Sequence, residues 1–281
     1  MTMGSKYPNA RLHHLQLTGD NPKELANFYA SALNMEVSEV DGGYLCTGPH
    51  RQVLFTKGPK RKTGYAGFAF ATADALTAYQ ARLDAKGLEI LPSPSALFDD
   101  TAFAVRDPDG NVTVFGTSEQ TTPDATDQPD ARLQHLTLRT VNLPPMIEHY
   151  ANKLEFFLSD LVSADNEDDL RTAFFASDPE HHSLAVFKAP EARLDHHSYE
   201  LSGWDQVRDW ADHFSDLGLT LRWGPGRHGP GNNLFIFLED PEGNWIELSA
   251  ELEVMDETRE VGTWPHSARS LNLWGNAIMR S

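Results

Sequence analysis

The chain consists of short apolar blocks separated by polar turns, and the order of the blocks repeats. Residues 11–40 and 132–161 each begin with a strand-like run, pass a turn containing proline and enter a helical stretch with a tyrosine, in NFYASAL and EHYANKL. Residues 68–90 correspond to residues 198–221, again as strand, helix and strand. An apolar spacing of about 3.6 residues marks the helix of the second copy. The pattern predicts two α+β halves, each with two strand–helix–strand units.

Both halves end with the same motif, DPDGNVTVF at 107–115 and DPEGNWIEL at 240–248. Residues 117–131 lie between the halves and contain Thr, Asp, Gln and Pro but no apolar residue larger than Ala, which is typical of a linker. We expect an N-terminal domain over 8–118, a linker over 119–130, a second domain over 131–250 and a tail over 251–281.

The composition argues against several classes of partner. With 23 Lys and Arg against 41 Asp and Glu, the net charge is −18, which would repel nucleic acid and favours no contact with an anionic membrane. Neither a signal peptide nor an apolar run of membrane length is found, so we expect a cytoplasmic protein. The single cysteine, Cys46, cannot form an intrachain disulfide, and we interpret it as a buried small hydrophobe.

Three residues of the second half are candidate metal ligands. His135 in RLQHLTL and His196 in RLDHHSYEL share the pattern Leu-x-His within strand-like runs. Glu247 lies between Ile246 and Leu248, where a carboxylate is costly to bury, so it either faces solvent or is compensated, for example by a metal ion. Two imidazoles and a carboxylate on three strands form the facial arrangement of non-haem Fe(II) oxygenases.

These residues resemble the type I extradiol ring-cleavage dioxygenases of the vicinal oxygen chelate superfamily, which also contains glyoxalases and bleomycin resistance proteins. The resemblance is densest at GPGRHG (224–229), DPEGNWIEL and LNLWGN (271–276). It implies an α+β fold of two tandem vicinal oxygen chelate domains, each with paired βαβββ modules that form a cupped, barrel-like mixed sheet. It also implies Fe(II), with Mn(II) as the alternative, bound by His135, His196 and Glu247.

The resemblance assigns two further histidines to catalysis. His182 matches the histidine that interacts with O2 and acts as an acid or base, and its neighbour His181 is a rival for that role. An unperturbed imidazole titrates near pH 6.5 and can exchange protons at neutral pH. His228, flanked by glycines, matches the histidine that hydrogen-bonds the substrate. His197 follows a proposed ligand, but strand alternation directs it to the opposite face.

Other positions concern substrate binding, and two of them depart from the family. Asn232 or Asn233 would line the same loop as His228, and Trp274 would belong to a segment that folds over the site. Phe237 stands where the family usually has a hydrogen-bonding Tyr, and Trp223 replaces an Arg that holds a substrate carboxylate. We therefore expect a less charged, larger and more aromatic catechol than the carboxylate-bearing substrates.

The internal repeat supplies a control for the metal prediction. His14 is the counterpart of His135, but the counterpart of His196 falls in TGYAGFAF, which contains no histidine. The counterpart of Glu247 is Val114. Only the second half should therefore bind metal, and the first half should act as a packing partner.

The resemblance implies an enzyme that inserts O2 beside the diol of a small aromatic diol, as a homodimer or homotetramer. Two alternatives remain open. One is a non-redox metal-dependent isomerase, epimerase or lyase of the same superfamily, which the residue Phe237 favours. The other is a metal-free protein that binds small molecules.

Overall fold

The computed structural model describes residues 5–118, 131–164 and 169–279. It contains two mixed β-sheets, of eight and nine strands, one in each half of the chain. Each half has the order βαβββ–βαβββ, which confirms the predicted α+β fold of two tandem domains. The predicted linker, residues 119–130, lies outside the described residues.

The first sheet runs in the order β2-β3-β4-β1-β5-β8-β7-β6. Its two modules, β1–β4 and β5–β8, meet where β1 pairs with β5 in antiparallel orientation. The strands are β1 (Arg11–Gly19), β2 (Glu36–Val40), β3 (Gly43–Gly48), β4 (Arg51–Lys57), β5 (Lys62–Phe70), β6 (Leu91–Pro92), β7 (Phe103–Arg106) and β8 (Val112–Thr117).

The second sheet repeats this arrangement in the order β14-β15-β16-β13-β9-β12-β11-β10-β17. Its extra strand, β17, comes from the predicted tail and pairs in parallel with β10, so part of the tail extends the sheet. The strands are β9 (Arg132–Thr140), β10 (Phe157–Ser163), β11 (Leu170–Ala176), β12 (Leu184–Lys188), β13 (Arg193–Leu201), β14 (Trp223–Arg227), β15 (Leu234–Glu239), β16 (Trp245–Ala250) and β17 (Gly262–Pro265).

Helices of the first half begin at side-chain caps, and the longer helices bury one face. Asn21 and Thr72 each accept a hydrogen bond from a backbone N–H in the first turn of the helix that follows. The amphipathic helix of the second half buries Val207, Trp210 and Phe214, as their spacing predicts. None of the described helices is long and apolar enough to cross a lipid bilayer. The helices are α1 (Pro22–Ala32), α2 (Ala73–Ala85), α3 (Leu143–Ile147), α4 (Trp204–Asp216) and α5 (Ala268–Leu271).

The tyrosine of each repeated helical segment reaches the DPxG turn of the other half. The Tyr29 hydroxyl in α1 lies 3.4 Å from Asp240 Oδ2. Tyr150, in the π-helical turn Glu148–Lys153 that follows α3, donates to Asp107 Oδ2 at 2.9 Å. Burial raises the pKa of both phenols well above the ordinary value, so they remain donors. These two symmetric links tie the halves together.

Candidate metal centre

Strand register places the three candidate ligands on one face of the second sheet. Ser198 of β13 stands opposite His135 of β9 on one side and opposite Glu247 of β16 on the other. His196 precedes Ser198 by two residues, and side chains two apart on a strand point to the same face. The sheet therefore directs all three side chains to one point inside the cup.

The ligand atoms of these side chains converge closely. Glu247 Oε2 lies 2.9 Å from His135 Nε2 and 3.3 Å from His196 Nε2. The two Nε2 atoms are 3.4 Å apart, and the three groups form a set whose donor atoms lie within 4.8 Å of one another. Only 1% of Glu247 is exposed, which excludes the alternative that it faces solvent.

The outer nitrogen of each histidine faces an acceptor, and this fixes the ring tautomer. His196 Nδ1 donates to Asp195 Oδ1 at 2.6 Å, and Asp195 Oδ2 accepts from Arg139 Nε at 2.7 Å. His135 Nδ1 donates to Gln134 Oε1. Both Nε2 atoms are thus left with a lone pair toward the centre, the arrangement found in histidines that ligate metals.

The centre requires a positive charge. Burial raises the pKa of the Glu247 carboxyl, but the surrounding histidines outweigh it, and the pKa falls well below its ordinary value. Burial lowers the pKa of His135. For His196 burial also lowers the pKa, but Asp195 and Glu247 raise it more. A divalent cation with nitrogen and oxygen ligands fits this place and would balance the carboxylate.

His182 lies beside this centre and lines the adjoining cavity, whereas His181 does not. The His182 ring centroid is 4.4 Å from that of His135, and its Nδ1 is 3.0 Å from His181 Nδ1. Burial, with smaller contributions from His135 and His181, holds the pKa of His182 well below its ordinary value. Of the two rivals, His182 is therefore the one that a ligand in the cavity can reach.

His228 is placed by the C-terminal segment. Its Nδ1 donates to the Leu271 carbonyl at 2.6 Å, and its Nε2 lies 3.5 Å from Glu247 Oε1. The neighbouring Gly229 donates its N–H to the Ser270 carbonyl, and a Cβ on Gly229 would lie 2.8 Å from that oxygen. The glycine is thus needed for the close approach of loop and tail.

Asn233, rather than Asn232, belongs to the site. Asn233 is buried, lines the cavity and donates from Nδ2 to Glu247 Oε1 at 3.2 Å and to Ser249 Oγ at 3.0 Å. Asn232 is exposed. Asn233 therefore holds the carboxylate of Glu247 in place.

Residues 11–115 and 132–248 match the Glyoxalase/Bleomycin resistance protein/Dioxygenase superfamily. The chain belongs to this superfamily. The prediction of the vicinal oxygen chelate fold is thereby confirmed.

Individual members resemble the chain over most of its length. Metapyrocatechase 2 from Cupriavidus necator is 25% identical over 247 residues, which cover 79% of this chain and 74% of the relative. A variant of homoprotocatechuate 2,3-dioxygenase from Brevibacterium fuscum has a similar structure, with a TM-score of 0.79, 21% identity, and coverage of 98% of this chain and 82% of that one. The Mn(II)-bound glyoxalase from Novosphingobium aromaticivorans gives a TM-score of 0.78, 21% identity, and coverage of 95% and 91%.

The two aromatic residues at positions where the resemblance leads us to expect polar residues lie beside the centre, on the same face of the sheet. Phe237 stands opposite Glu247 in the strand ladder, fully buried, with its ring 5.3 Å from that of His196. Trp223 stacks on Phe237 at 5.4 Å and donates from Nε1 to the Asn276 carbonyl at 2.9 Å. Neither is among the residues that line the cavity, and both pack in an apolar cluster with Leu271, which does line it.

Trp274 does not reach the cavity. Its side chain is 55% exposed and packs at 6.0 Å against the Trp204 ring. The tail does cover the site, but through other residues that the sequence did not single out. The cavity gives about 50 Å³ to the centres of water-sized molecules, within about 700 Å³ of empty space that includes open solvent. Besides the residues already named, its walls are formed by Thr137, Val162, Thr172, Phe174, Phe187, Pro230, His266, Ser267, Ser270, Leu271 and Ile278.

Thr137 is the missed residue with a usable signal. It follows His135 by two positions on β9 and therefore shares its face. Its Oγ1 lies 3.1 Å from His196 Nε2.

In the first half, the space that corresponds to the metal centre is filled by side chains. His14 stands opposite Gly67, which in turn stands opposite Val114, so the register of the metal centre is repeated without its carboxylate. His14 Nε2 lies 2.7 Å from Ser95 Oγ, and the Phe98 ring covers His14 at 4.8 Å. Within the described ranges, only His135, His196 and Glu247 form a group that could hold a metal.

Proposed function

We propose that this chain is an extradiol dioxygenase, which cleaves a catechol-type ring beside its two hydroxyls. The observation that carries the proposal is the convergence of His135 Nε2, His196 Nε2 and a Glu247 carboxylate oxygen, with His182 and His228 beside them. The similarity to a metapyrocatechase supports the same reaction. Residues 131–250 would hold the metal, residues 8–118 would serve as a packing partner, and the tail would cover the cavity.

Fe(II) is the metal we propose for His135, His196 and Glu247, with Mn(II) as the alternative. Bound there, the ion would act as a Lewis acid and as an electron path between a diol and O2 held side by side. The protein contributes an orientation that is fixed in advance, since Asp195, Gln134 and Asn233 each hold one of the three ligands.

The two remaining histidines handle protons. His228 uses Nδ1 to donate to Leu271, so its Nε2 remains available to accept a proton from a substrate hydroxyl. His182 lines the cavity, and burial holds its pKa well below the ordinary value, which favours the neutral ring. A neutral imidazole nitrogen can accept a proton and return it to a developing oxyanion.

The walls also indicate the substrate class. Among the described residues that line the cavity there is no Lys or Arg, and several are apolar: Val162, Phe174, Phe187, Leu271 and Ile278. A substrate carboxylate would be buried without a counter-charge, which is costly. We therefore propose a catechol with an uncharged, apolar substituent. A higher kcat/KM for homoprotocatechuate than for 3-alkyl or 3-aryl catechols would contradict this.

The test is oxygen uptake by protein that has been loaded with Fe(II) under anaerobic conditions. With a panel of substituted catechols we expect O2 consumption and a yellow muconic semialdehyde-type product from at least one member. Glu247→Ala and His135→Ala should each abolish both, whereas His14→Ala, the same change as His135→Ala at its counterpart in the first half, should retain them. Iron-loaded protein that is inert toward the whole panel would overturn the proposal.

A second candidate is a non-redox metal enzyme of the superfamily. Phe237 favours it, because the phenylalanine cannot donate the hydrogen bond that a tyrosine would supply to an oxygen species. The fold similarity to a Mn(II)-bound glyoxalase leaves this candidate open. Turnover without O2, supported by Mn(II), Ni(II) or Zn(II), would favour it. Wild-type chain that takes up no metal at all would instead favour a binding protein.

A further inference from the structure

A second pocket, beside the metal cavity, is lined by three arginines. Arg139 and Arg193 stand directly opposite one another on β9 and β13, and Arg61 reaches the pocket from the turn between β4 and β5 of the first half. Like charges directly opposite each other in a strand ladder destabilise the pair. The corresponding pair in the first half is Thr18 and Lys62, which has only one cation. Strand pairing alone therefore does not explain why these arginines are brought together.

The acceptors around the pocket do not occupy all three guanidinium groups. Arg139 Nε donates to Asp195 Oδ2 at 2.7 Å, and Arg193 Nε donates to Glu191 Oε1 at 2.5 Å. The Glu191 side chain is 65% exposed and lies at the rim. Among the residues that the structure describes, none pairs with the Arg61 guanidinium. Because arginine is always charged at neutral pH, the pocket keeps an excess of positive charge even when both carboxylates are counted.

The second half is shaped to accommodate Arg61. A Cβ on Gly243 would lie 2.5 Å from Arg61 Nη2, and Gly243 has a φ of +83°, so a glycine serves both the turn and the contact. The Arg61 carbonyl accepts from the N–H of Leu194 at 3.0 Å. At the equivalent glycine of the first half, Gly110, no described atom lies within 4 Å of the same position. Two backbone segments of the second half thus hold Arg61 at the pocket.

The pocket adjoins the metal cavity. Ile278 of the tail lines both spaces, and Asp195, in the wall of the pocket, holds the proposed ligand His196. The pocket gives about 190 Å³ to the centres of water-sized molecules, against about 50 Å³ in the metal cavity. One water needs only about 10–15 Å³ by that measure. A small organic anion therefore has room there, next to the place of the proposed reaction.

We propose that this pocket binds the carboxylate of the ring-cleaved product as it leaves the metal cavity. The inference rests on the proposed function, in which O2 is the oxidant and both of its atoms enter the product. The bond between a hydroxyl-bearing carbon and its neighbour outside the diol breaks. The first carbon becomes a carboxylic acid, which loses its proton to solvent, and the neighbour becomes a carbonyl.

The division of charge between the two spaces agrees with this order of events. The described residues that line the metal cavity include no Lys or Arg, and the substrate we propose there is uncharged, so an anion appears only after cleavage. A guanidinium group binds a carboxylate through two parallel hydrogen bonds, and Arg61 has its donors available. The first half then contributes a binding residue to the reaction in addition to its packing surface.

The test is isothermal titration of the full-length chain with cis,cis-muconate, a stable unsaturated dicarboxylate, first without metal and then with Zn(II) bound. We expect a similar Kd in both forms, because the pocket is separate from the metal ligands. Arg61→Gln removes the charge and should raise the Kd by about tenfold or more. Arg208→Gln makes the same change at an exposed ion pair with Asp209 in α4, and this matched control should bind as wild type does.

Three results would overturn the proposal: muconate binding by the Zn(II)-loaded chain alone, which would place the carboxylate on the metal; equal Kd values in wild type and Arg61→Gln; or binding of inorganic phosphate without binding of muconate. If Arg61→Gln does not fold, Arg193→Gln is compared with Arg208→Gln in the same way.

Kinetics of the Fe(II)-loaded chain connect the pocket with the reaction. Muconate held beside Ile278 should block product release and inhibit turnover, and Arg61→Gln should raise its inhibition constant by about tenfold, whereas Arg208→Gln should not. Muconate that binds in the titration without inhibiting turnover would contradict a role in product release. An iron-loaded wild-type chain without dioxygenase activity would count against the proposed function, and the titration would still decide whether the arginines bind a carboxylate.

Discussion

Asp195→Asn tests whether His196 is held as a metal ligand. The Asp195 carboxylate accepts from His196 Nδ1 at 2.6 Å and from Arg139 Nε at 2.7 Å, and only 3% of the residue is exposed. Asparagine preserves the shape of the side chain but removes its charge. His196 then loses the anion that fixes its tautomer and increases the basicity of Nε2.

The size of the effect follows from the loss of a charge-assisted hydrogen bond. Such a bond contributes about 1.5–3 kcal/mol, against about 0.5–1.5 kcal/mol for a neutral one. Because the pair is buried, solvent does not screen the difference. Loss of a carboxylate that supports a ligating histidine typically weakens metal affinity by about 10- to 100-fold. We therefore expect the Kd for Fe(II) or Mn(II) to rise within that range.

The assay is anaerobic competition for the metal against a chromogenic chelator. Asp169→Asn is the matched control, because it makes the same chemical change at a partly exposed ion pair with Arg171 in the same half. We expect this control to bind metal as wild type does. If Asp195→Asn folds normally and its Kd lies within about twofold of wild type, His196 is not oriented for a metal in the way we infer.

Two further predictions concern stability. Tyr150→Phe removes the bond to Asp107 and should lower the free energy of unfolding by about 1–3 kcal/mol, measured by urea denaturation with Tyr44→Phe as control; equal losses in both variants would contradict it. Burial lowers the pKa of His14 from its ordinary value of about 6.5 to about 3. The contribution of His14 to the free energy of unfolding is therefore complete above about pH 6.5 and is lost as the pH falls from there toward 3, by about 2 kcal/mol between pH 7 and 5. His14→Gln should remove this part of the pH dependence, and an unchanged slope would count against it.

Much of the site was predictable because it depends on strand register. His135, His196 and Glu247 lie in short apolar runs at fixed distances from turns, and period-two alternation then determines which side chains share a face. The same rule sent His197 to the opposite face, where its Nε2 lies 3.1 Å from the Tyr29 hydroxyl.

Other features depend on contacts between segments that are distant in the sequence. Nothing local distinguishes His182 from His181; the cavity beside one and Asp160 beside the other do so. Trp274 lies in the tail, but its side chain points outward, and Leu271 and Ile278 line the cavity instead. The helical segment predicted around Tyr150 ends in a π-helical turn, which apolar spacing does not reveal.

The most direct test of the metal centre is the iron content of wild-type and Glu247→Ala chains after anaerobic loading with Fe(II) and desalting. We predict stoichiometric iron in the wild-type chain and almost none in the variant, because removal of the carboxylate leaves two neutral imidazoles without an anion. Wild-type chain that retains no iron, or a folded Glu247→Ala chain that retains as much as wild type, would contradict a metal centre at these three residues.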